Sequence, residues 1–328
     1  MDDAALTIWD APFDRAPGRG DVAEAAGRIA GHAVRTPLLN APLLDRMAGR
    51  RVWVKAECLQ VTGSFKFRGA LNALAGMGAE ARARGVIAVS SGNHAQGVAH
   101  AAALHGVPAV IVMPSDAPAV KIERTRAYGA EVVTYARGVQ DRDEVGARLA
   151  RERGLALVKP FDDGRVIAGQ GTVGLEIGQD MPPGVGEVLV CCGGGGLTSG
   201  VALGLEGAAT VRPVEPEGYD DVARSLASGA IRSNAAEAGG LCDAILTPAP
   251  GRLTFGLMAR HCGPGVVVTE DEALRAMAAA WAYLRVVLEP GGAVALAAAL
   301  FREGPDCVAV ASGGNVDAAV FARALSPG

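Results

Sequence analysis

The sequence predicts an α/β protein built on parallel sheet, and three observations carry that reading. Strand-like and helix-like runs alternate from Val52 to the end of the chain, and strands separated by helices pair in parallel with the helices on their faces. Half of the 328 residues are hydrophobic and a fifth are charged, with Gly and Ala plentiful, which is an ordinary globular balance. No apolar run reaches the roughly 18 residues that a membrane-spanning helix needs.

The elements follow in order. Residues 1–20 hold Pro12, Pro17, Gly18 and Gly20 and read as an irregular arm. Asp21–Gly31 is helix-like, Thr36-Pro37-Leu38 is extended, and Val52-Trp53-Val54-Lys55 alternates as a strand. The alanine-rich run Ala70–Ala75 reads as helix. Strands are expected at Gly85–Ser90, Val107–Met113, Ala130–Tyr135 and Leu155–Lys159, with helices between them at Asn93–His105, Ala119–Tyr128 and Asp141–Arg153. The second half repeats the rhythm, with helices at Arg165–Gln179, Leu197–Leu205, Ala293–Arg302 and Asp317–Leu325. Its strands are Glu187–Cys192, Val211–Glu215, Gly265–Val268 and Cys307–Ala311. Thr269 with Glu272 three residues on is a capping box for a long helix through Leu284. No fixed-period repeat, low-complexity tract or long linker interrupts the chain.

Charge and cysteine content exclude several functions. A net charge of −4 argues against nucleic acid as a partner and offers no basic patch to an anionic membrane. The N-terminus, with Asp2, Asp3 and Asp10, lacks the basic and apolar regions of a signal peptide. Six cysteines show no CxxC pair and no zinc-ligand spacing, so buried thiols in a reducing cytoplasm are expected. His32, His94, His100, His105 and His261 show no HExxH spacing, which argues against catalytic zinc.

Five stretches carry chemistry. Lys66 lies between Phe65 and Phe67, with Gly63 and Gly69 on either side. A desolvated lysine loses preference for its charged form and becomes a Schiff-base nucleophile; a core lysine paired with Glu57 is the other reading of this stretch. Gly193-Gly194-Gly195-Gly196 joins an apolar strand to a helix, where bare backbone N–H groups and the helix N-terminus cradle a phosphate. Ser90-Ser91-Gly92-Asn93-His94 occupies a similar strand-to-helix position, where open α/β sheets place ligands. Ser312-Gly313-Gly314-Asn315 also follows a strand, and its serine could meet a ring nitrogen. Glu215, Glu217, Asp220 and Asp221 gather four carboxylates after a strand, which is either a hard-cation site or a solvated acidic loop. Gly169-x-Gly171-x-x-Gly174 matches the dinucleotide fingerprint by letter, but no strand feeds it. These glycines are therefore read as close helix packing, and no nicotinamide cofactor is expected.

In this order the stretches resemble the fold-type II pyridoxal phosphate enzymes, and most of all their serine/threonine dehydratase and serine racemase branch. The resemblance runs from about Thr36 to Asp317, and Thr62-Gly63-Ser64-Phe65-Lys66-x-Arg68-Gly69-Ala70 is its most specific motif. It implies a fold of the tryptophan synthase β type: two open twisted parallel-sheet domains with the cofactor in the cleft between them. Residues 1–68 with 157–328 would form the large cofactor-binding domain, and 69–156 the small mobile one.

The same resemblance implies pyridoxal 5'-phosphate as cofactor and a role for each residue. Lys66, beside Phe65, would hold the cofactor as a Schiff base and later act as base at Cα. Asn93 would hydrogen-bond the ring hydroxyl oxygen, Gly193, Gly194, Gly195, Gly196 and Leu197 would hold the phosphate, and Ser312 would face the pyridine nitrogen. Ser90, Asn93 and His94 would receive the substrate carboxylate. Arg142 falls where the racemase branch has an arginine near the substrate, although a charge on an exposed helix is its other reading. Glu215, Asp221 and the backbone of Tyr219 align with a divalent-cation site, for Mg²⁺ or else Ca²⁺ or Mn²⁺.

The implied activity is dehydration of a β-hydroxy amino acid such as L-threonine or L-serine to a 2-oxo acid and ammonia, by a cytoplasmic homodimer. Ser91, serine in the racemase, would instead allow racemisation. Arg142 and Arg252 could serve a second substrate carboxylate, as in a 3-hydroxyaspartate dehydratase.

Overall fold

A computed structural model describes residues 15–235 and 239–326. Ten strands form two sheets: β1 (Leu38–Leu39), β2 (Val52–Lys55), β3 (Val86–Val89), β4 (Ala109–Pro114), β5 (Glu131–Tyr135), β6 (Ala156–Leu157), β7 (Glu187–Cys191), β8 (Thr210–Pro216), β9 (Val266–Val268) and β10 (Cys307–Val310). Six of them order as β1-β2-β10-β7-β8-β9 and four as β5-β4-β3-β6. Every pairing is parallel except β1 with β2. The helices of the first half are α1 (Arg19–Ile29), α2 (Pro42–Ala48), α3 (Lys66–Ala75), α4 (Ala79–Ala83), α5 (Asn93–His105), α6 (Ala119–Ala127) and α7 (Arg142–Arg153). Those of the second are α8 (Gly164–Asp180), α9 (Gly196–Leu205), α10 (Asp221–Ser228), α11 (Arg252–His261), α12 (Glu270–Ala279), α13 (Pro290–Phe301) and α14 (Ala318–Leu325).

Each sheet has its own apolar core. Val188, Val190, Val308 and Val310 of the larger sheet pack with Val294 and Leu296 of α13, all buried. In the smaller sheet Val86, Ala88 and Ile111 pack with Leu71 and Leu74 of α3 and Val98 of α5. The near-continuous apolar strands are what a sheet covered on both faces requires.

The glycines of residues 169–174 do what helix packing asks of them. A Cβ on Gly174 would overlap the carbonyl of Val201, and one on Gly200 would lie 2.6 Å from the carbonyl of Ile167. α8 and α9 thus touch backbone to backbone, and no phosphate loop forms at these residues.

Several sequence expectations change. Residues 1–14 of the expected arm lie outside the described residues, and the chain is already helical at Arg19. The strand expected over Leu155–Lys159 shortens to the two residues of β6. The helix expected through Leu284 ends at Ala279 and continues as a π-turn over Ala280–Leu284, closed by Arg285 at φ 62. The acidic stretch ending at Asp221 runs directly into α10.

Candidate active site

Lys66 opens α3, with Phe65 as its N-cap. Ser64 bridges to Gly313, and the Phe65 N–H donates to the Ser312 carbonyl at 3.0 Å, so the lysine lies beside the Ser312 turn. Gly63 takes φ +75, and a Cβ there would lie 2.7 Å from Asn315 Oδ1. The Lys66 Nζ donates to the Pro160 carbonyl at 2.8 Å and stands 5.1 Å from the Phe65 ring centre. Burial pulls its pKa down to about 8, against a smaller upward pull from Cys191 and Glu289.

The paired-lysine reading belongs to a different residue. Glu57 accepts from Arg68 Nε at 2.8 Å, and Arg68 also reaches Glu176 at 2.7 Å. The buried lysine of this cluster is Lys55, on Glu176 and the Thr36 carbonyl. Burial raises the Glu57 pKa, but Arg68 outweighs it and leaves the carboxyl below its ordinary value. Glu57 is therefore engaged one turn beyond Lys66 and anchors α3, not the amine.

Lys66 faces a cavity of about 780 Å³, a size that takes a small cofactor with its substrate. Gly193, Gly194, Gly195, Gly196 and Leu197 line it where β7 passes into α9. The first N–H groups of a helix have no intrahelical acceptor, so the N-terminus of α9 offers them to an anion together with its partial positive charge. Ser90, Ser91 and Asn93 line the same cavity where β3 passes into α5. Both turns lie at the carboxyl ends of parallel strands.

Ser312 closes another side. It is buried, and its hydroxyl pulls the pKa of the neighbouring Cys191 thiol down, against the larger upward effect of burial. Amine, anion cradle, amide and neutral hydroxyl together fit pyridoxal phosphate: an aldehyde, a phosphate, a ring oxygen and a ring nitrogen each find a matching group.

The His94 ring, expected beside the substrate carboxylate, is bonded to the chain's own backbone. Its ring nitrogen Nε2 meets the Val158 carbonyl at 2.8 Å and must donate there, because a carbonyl only accepts. Nδ1 is buried without a partner. Burial first, and Lys66 second, push the pKa down to about 3, so the ring is neutral and its free nitrogen is a lone pair. A carboxylate at His94 would therefore be met by its backbone N–H and not by its ring.

Arg142 lines the cavity at the start of α7, with 59% of its side chain exposed and Asp143 at 3.6 Å. Lys121 and Arg124 of α6 line it too, and Lys121 pairs with Asp243 at 3.0 Å. Arg252 is exposed and is not among the residues that line the cavity.

The acidic stretch divides. Both Glu215 oxygens accept backbone N–H groups at the start of α10, from Val222 at 2.9 Å and Ala223 at 2.7 Å. Asp221 Oδ1 accepts from Asn234 at 2.6 Å, while Oδ2 is buried without a partner. Burial raises Glu215 to about 8 and Asp221 to about 6. Tyr219 is half-buried beside them. Among the described residues no group of three or more His, Cys, Asp or Glu gathers as a ligand set.

Sequence reasoning missed Glu289, which lines the cavity and bonds to Asn93 Nδ2 at 2.6 Å. The sequence reading began this helix at Ala293, three residues after its actual start at Pro290, and so left Glu289 outside every motif. It also missed Phe161, whose ring packs against Gly194.

Comparison with known proteins agrees with this geometry. The family described as pyridoxal-phosphate dependent enzyme matches residues 29–314. The chain is 38% identical over 318 residues to an L-threo-3-hydroxyaspartate ammonia-lyase of Saccharomyces cerevisiae, covering 94% of this chain and 97% of that protein. It superposes on the threonine deaminase of T.th. with a TM-score of 0.86 and 44% identity, over 92% of this chain and 99% of that one. For maize serine racemase the TM-score is 0.88 at 34% identity, over 95% and 97% of the two chains.

Proposed function

The chain belongs to the pyridoxal-phosphate dependent enzyme family, and from that premise we propose that it is an ammonia-lyase converting a β-hydroxy amino acid such as L-threonine or L-serine to a 2-oxo acid and ammonia. The observation that carries the reading is the Lys66 amine, brought down to a pKa of about 8, bonded to a carbonyl and not to a carboxylate, in one cavity with the glycine cradle.

When bound, the cofactor supplies an imine-forming aldehyde and an electron-withdrawing ring. Lys66 would hold the cofactor through its aldehyde, and its amine would carry the proton at substrate Cα. Phe65 packs beside the amine and limits water there. Gly193 to Gly196 and Leu197 hold the phosphate, and Asn93 holds the ring oxygen. Ser312 would face the ring nitrogen with a neutral hydroxyl, which does not require that nitrogen to be protonated. The backbone and hydroxyls of Ser90 to Asn93 receive the substrate carboxylate at the N-terminus of α5; the His94 ring orients this turn through Val158.

A second substrate is favoured by Arg142, Lys121 and Arg124, whose cations share the cavity and suit the extra carboxylate of 3-hydroxyaspartate. Ser91, on the same wall, is the residue through which a racemase activity would run. A divalent cation at Glu215, Asp221 and the Tyr219 carbonyl is supported by the unpartnered Asp221 Oδ2, because a buried carboxylate oxygen seeks a partner.

We assign residues 1–68 and 157–328 to a large cofactor-binding domain and 69–156 to a small mobile one, in keeping with the separate cores of the two sheets. Six unpaired thiols suit a reducing cytoplasm, and a homodimer is the commonest symmetric assembly.

The test is direct. The purified protein, reduced with borohydride, should carry the vitamin on the Lys66 peptide, and L-threonine, L-serine or L-threo-3-hydroxyaspartate should release keto acid and ammonia. Lys66→Ala should lose both signals. A protein that is neither labelled nor active on any of the three refutes the reading.

A further inference from the structure

Glu289 is the N-cap of α13, yet its side chain makes no capping bond, so the usual reason for an acid in that position is missing. Its carboxylate turns into the cavity instead, where Oε1 accepts from Asn93 Nδ2 at 2.6 Å. Asn93 Oδ1 accepts from Asn315 Nδ2 at 2.8 Å, and that nitrogen also donates to the Thr62 carbonyl at 2.8 Å.

The polarity of this relay has one solution. A carbonyl and an amide oxygen face Asn315, so Asn315 must present its nitrogen to both. Asn93 then shows its oxygen to Asn315 and its nitrogen to Glu289. One N–H of Asn93 is held by the carboxylate, and the second is left for the cavity. Gly313 keeps the space open: a Cβ there would overlap Glu289 Oε1 and lie 3.2 Å from Asn93 Nδ2. The charged and titratable groups that face Glu289 are Lys66, Lys121, Asp243 and the thiols of Cys58, Cys191 and Cys242. Burial, the largest influence, lifts its pKa to about 7.

We infer that Glu289 is a positioning residue: it fixes the Asn93 amide that meets the cofactor ring oxygen, and its negative charge favours a proton on the nitrogen at Lys66. The inference rests on the pyridoxal phosphate reading of the cavity. A cap or a packing residue would supply the first effect only by accident and the second not at all.

Glu289→Gln, Glu289→Ala and Asn315→Ala separate orientation from charge. Each apoprotein is titrated with pyridoxal phosphate, and the absorbance of each loaded enzyme is followed with pH. Glutamine keeps an acceptor for Asn93, so E289Q should bind the cofactor within about threefold of the parent, since the hydrogen bond survives. Its chromophore should titrate about half a unit or more lower, because an anion no longer favours the protonated nitrogen. E289A should lose roughly tenfold in cofactor affinity, the worth of one charge-assisted bond, and show the same downward shift. N315A should lose affinity without moving the midpoint, because it removes no charge.

If E289A does not fold, the opposite patterns of E289Q and N315A decide the matter. A parent that takes up no cofactor overturns the proposed function and this inference with it. A parent that loads normally, with an unmoved midpoint in E289Q or an unchanged affinity in N315A, overturns this inference alone.

Discussion

Adding one methyl group to Gly194 should cost cofactor binding, whereas adding one to Gly174 should cost only stability. At Gly194 the new Cβ would overlap the Phe161 ring. That ring is held in place. Pro160 before it accepts from Lys66, and Asp162 after it accepts the first N–H groups of α11, from Leu253 at 3.0 Å and Thr254 at 3.2 Å. The Gly194 peptide is equally fixed, because its carbonyl accepts from Thr254 Oγ1 at 2.6 Å and the Gly251 N–H at 3.2 Å. Either the ring enters the cavity or the cradle tilts. Overpacking of this kind costs about 1–3 kcal/mol, and placed on the bound state alone that is roughly 5- to 150-fold in affinity.

At Gly174 the Cβ would overlap the backbone of Val201, far along α9 from the cradle. The cost is about 1–3 kcal/mol there too, but it falls on the apoprotein. Fluorescence titration of each apoprotein with pyridoxal phosphate, paired with its thermal melt, reads the two effects apart. Gly174→Ala should melt several degrees lower with an unchanged dissociation constant. Gly194→Ala binding the cofactor as the parent does would refute the cradle.

Two further outcomes follow from the same cavity and its surroundings. Arg142→Ala should lower kcat/KM for L-threo-3-hydroxyaspartate by about tenfold more than for L-threonine, the worth of a charge-assisted hydrogen bond; equal losses on both substrates would remove Arg142 from the second carboxylate. Mg²⁺ added to chelator-treated protein should raise the melting midpoint, and Asp221→Asn should abolish the rise; a parent indifferent to Mg²⁺ would count against the cation site.

Elements with local signals were legible in the sequence. Asn93–His105 is helical over that span, and the Thr269–Glu272 capping box forms with bonds in both directions. Two helices that stayed hidden, α10 and α11, take their caps from elsewhere in the chain. α11 begins at Arg252 because Asp162, some ninety residues earlier, accepts its N-terminal N–H groups. α10 is capped in the same way by Glu215 from the preceding strand, so carboxylates that read as a loop are a helix start. Within the site, residue types on strand-to-helix turns were readable, because turn chemistry is local. Orientation was not. The neutral His94 ring bonded to Val158 and the Glu289 carboxylate bonded to Asn93, making no bond to its own helix, are decided by partners distant in sequence, which no spacing reveals.

Lys55 and Lys66 show why composition alone could not settle the chemistry. Lys55 has a carboxylate and Lys66 has a carbonyl, yet only eleven residues separate them. The difference is made by Arg68, which engages both Glu57 and Glu176 and so holds the nearby carboxylates on the far side of α3. Lys66 is also the first residue of that helix, where the partial positive charge of the N-terminus disfavours an ammonium. Desolvation and dipole act in the same direction, against a smaller opposing pull from Cys191 and Glu289. A pKa of about 8 leaves roughly a tenth of the amine neutral at pH 7, against about one part in three thousand at an unperturbed value. The free amine is therefore far more abundant than in a solvated lysine, and desolvation, the largest influence on Lys66, is what makes it so.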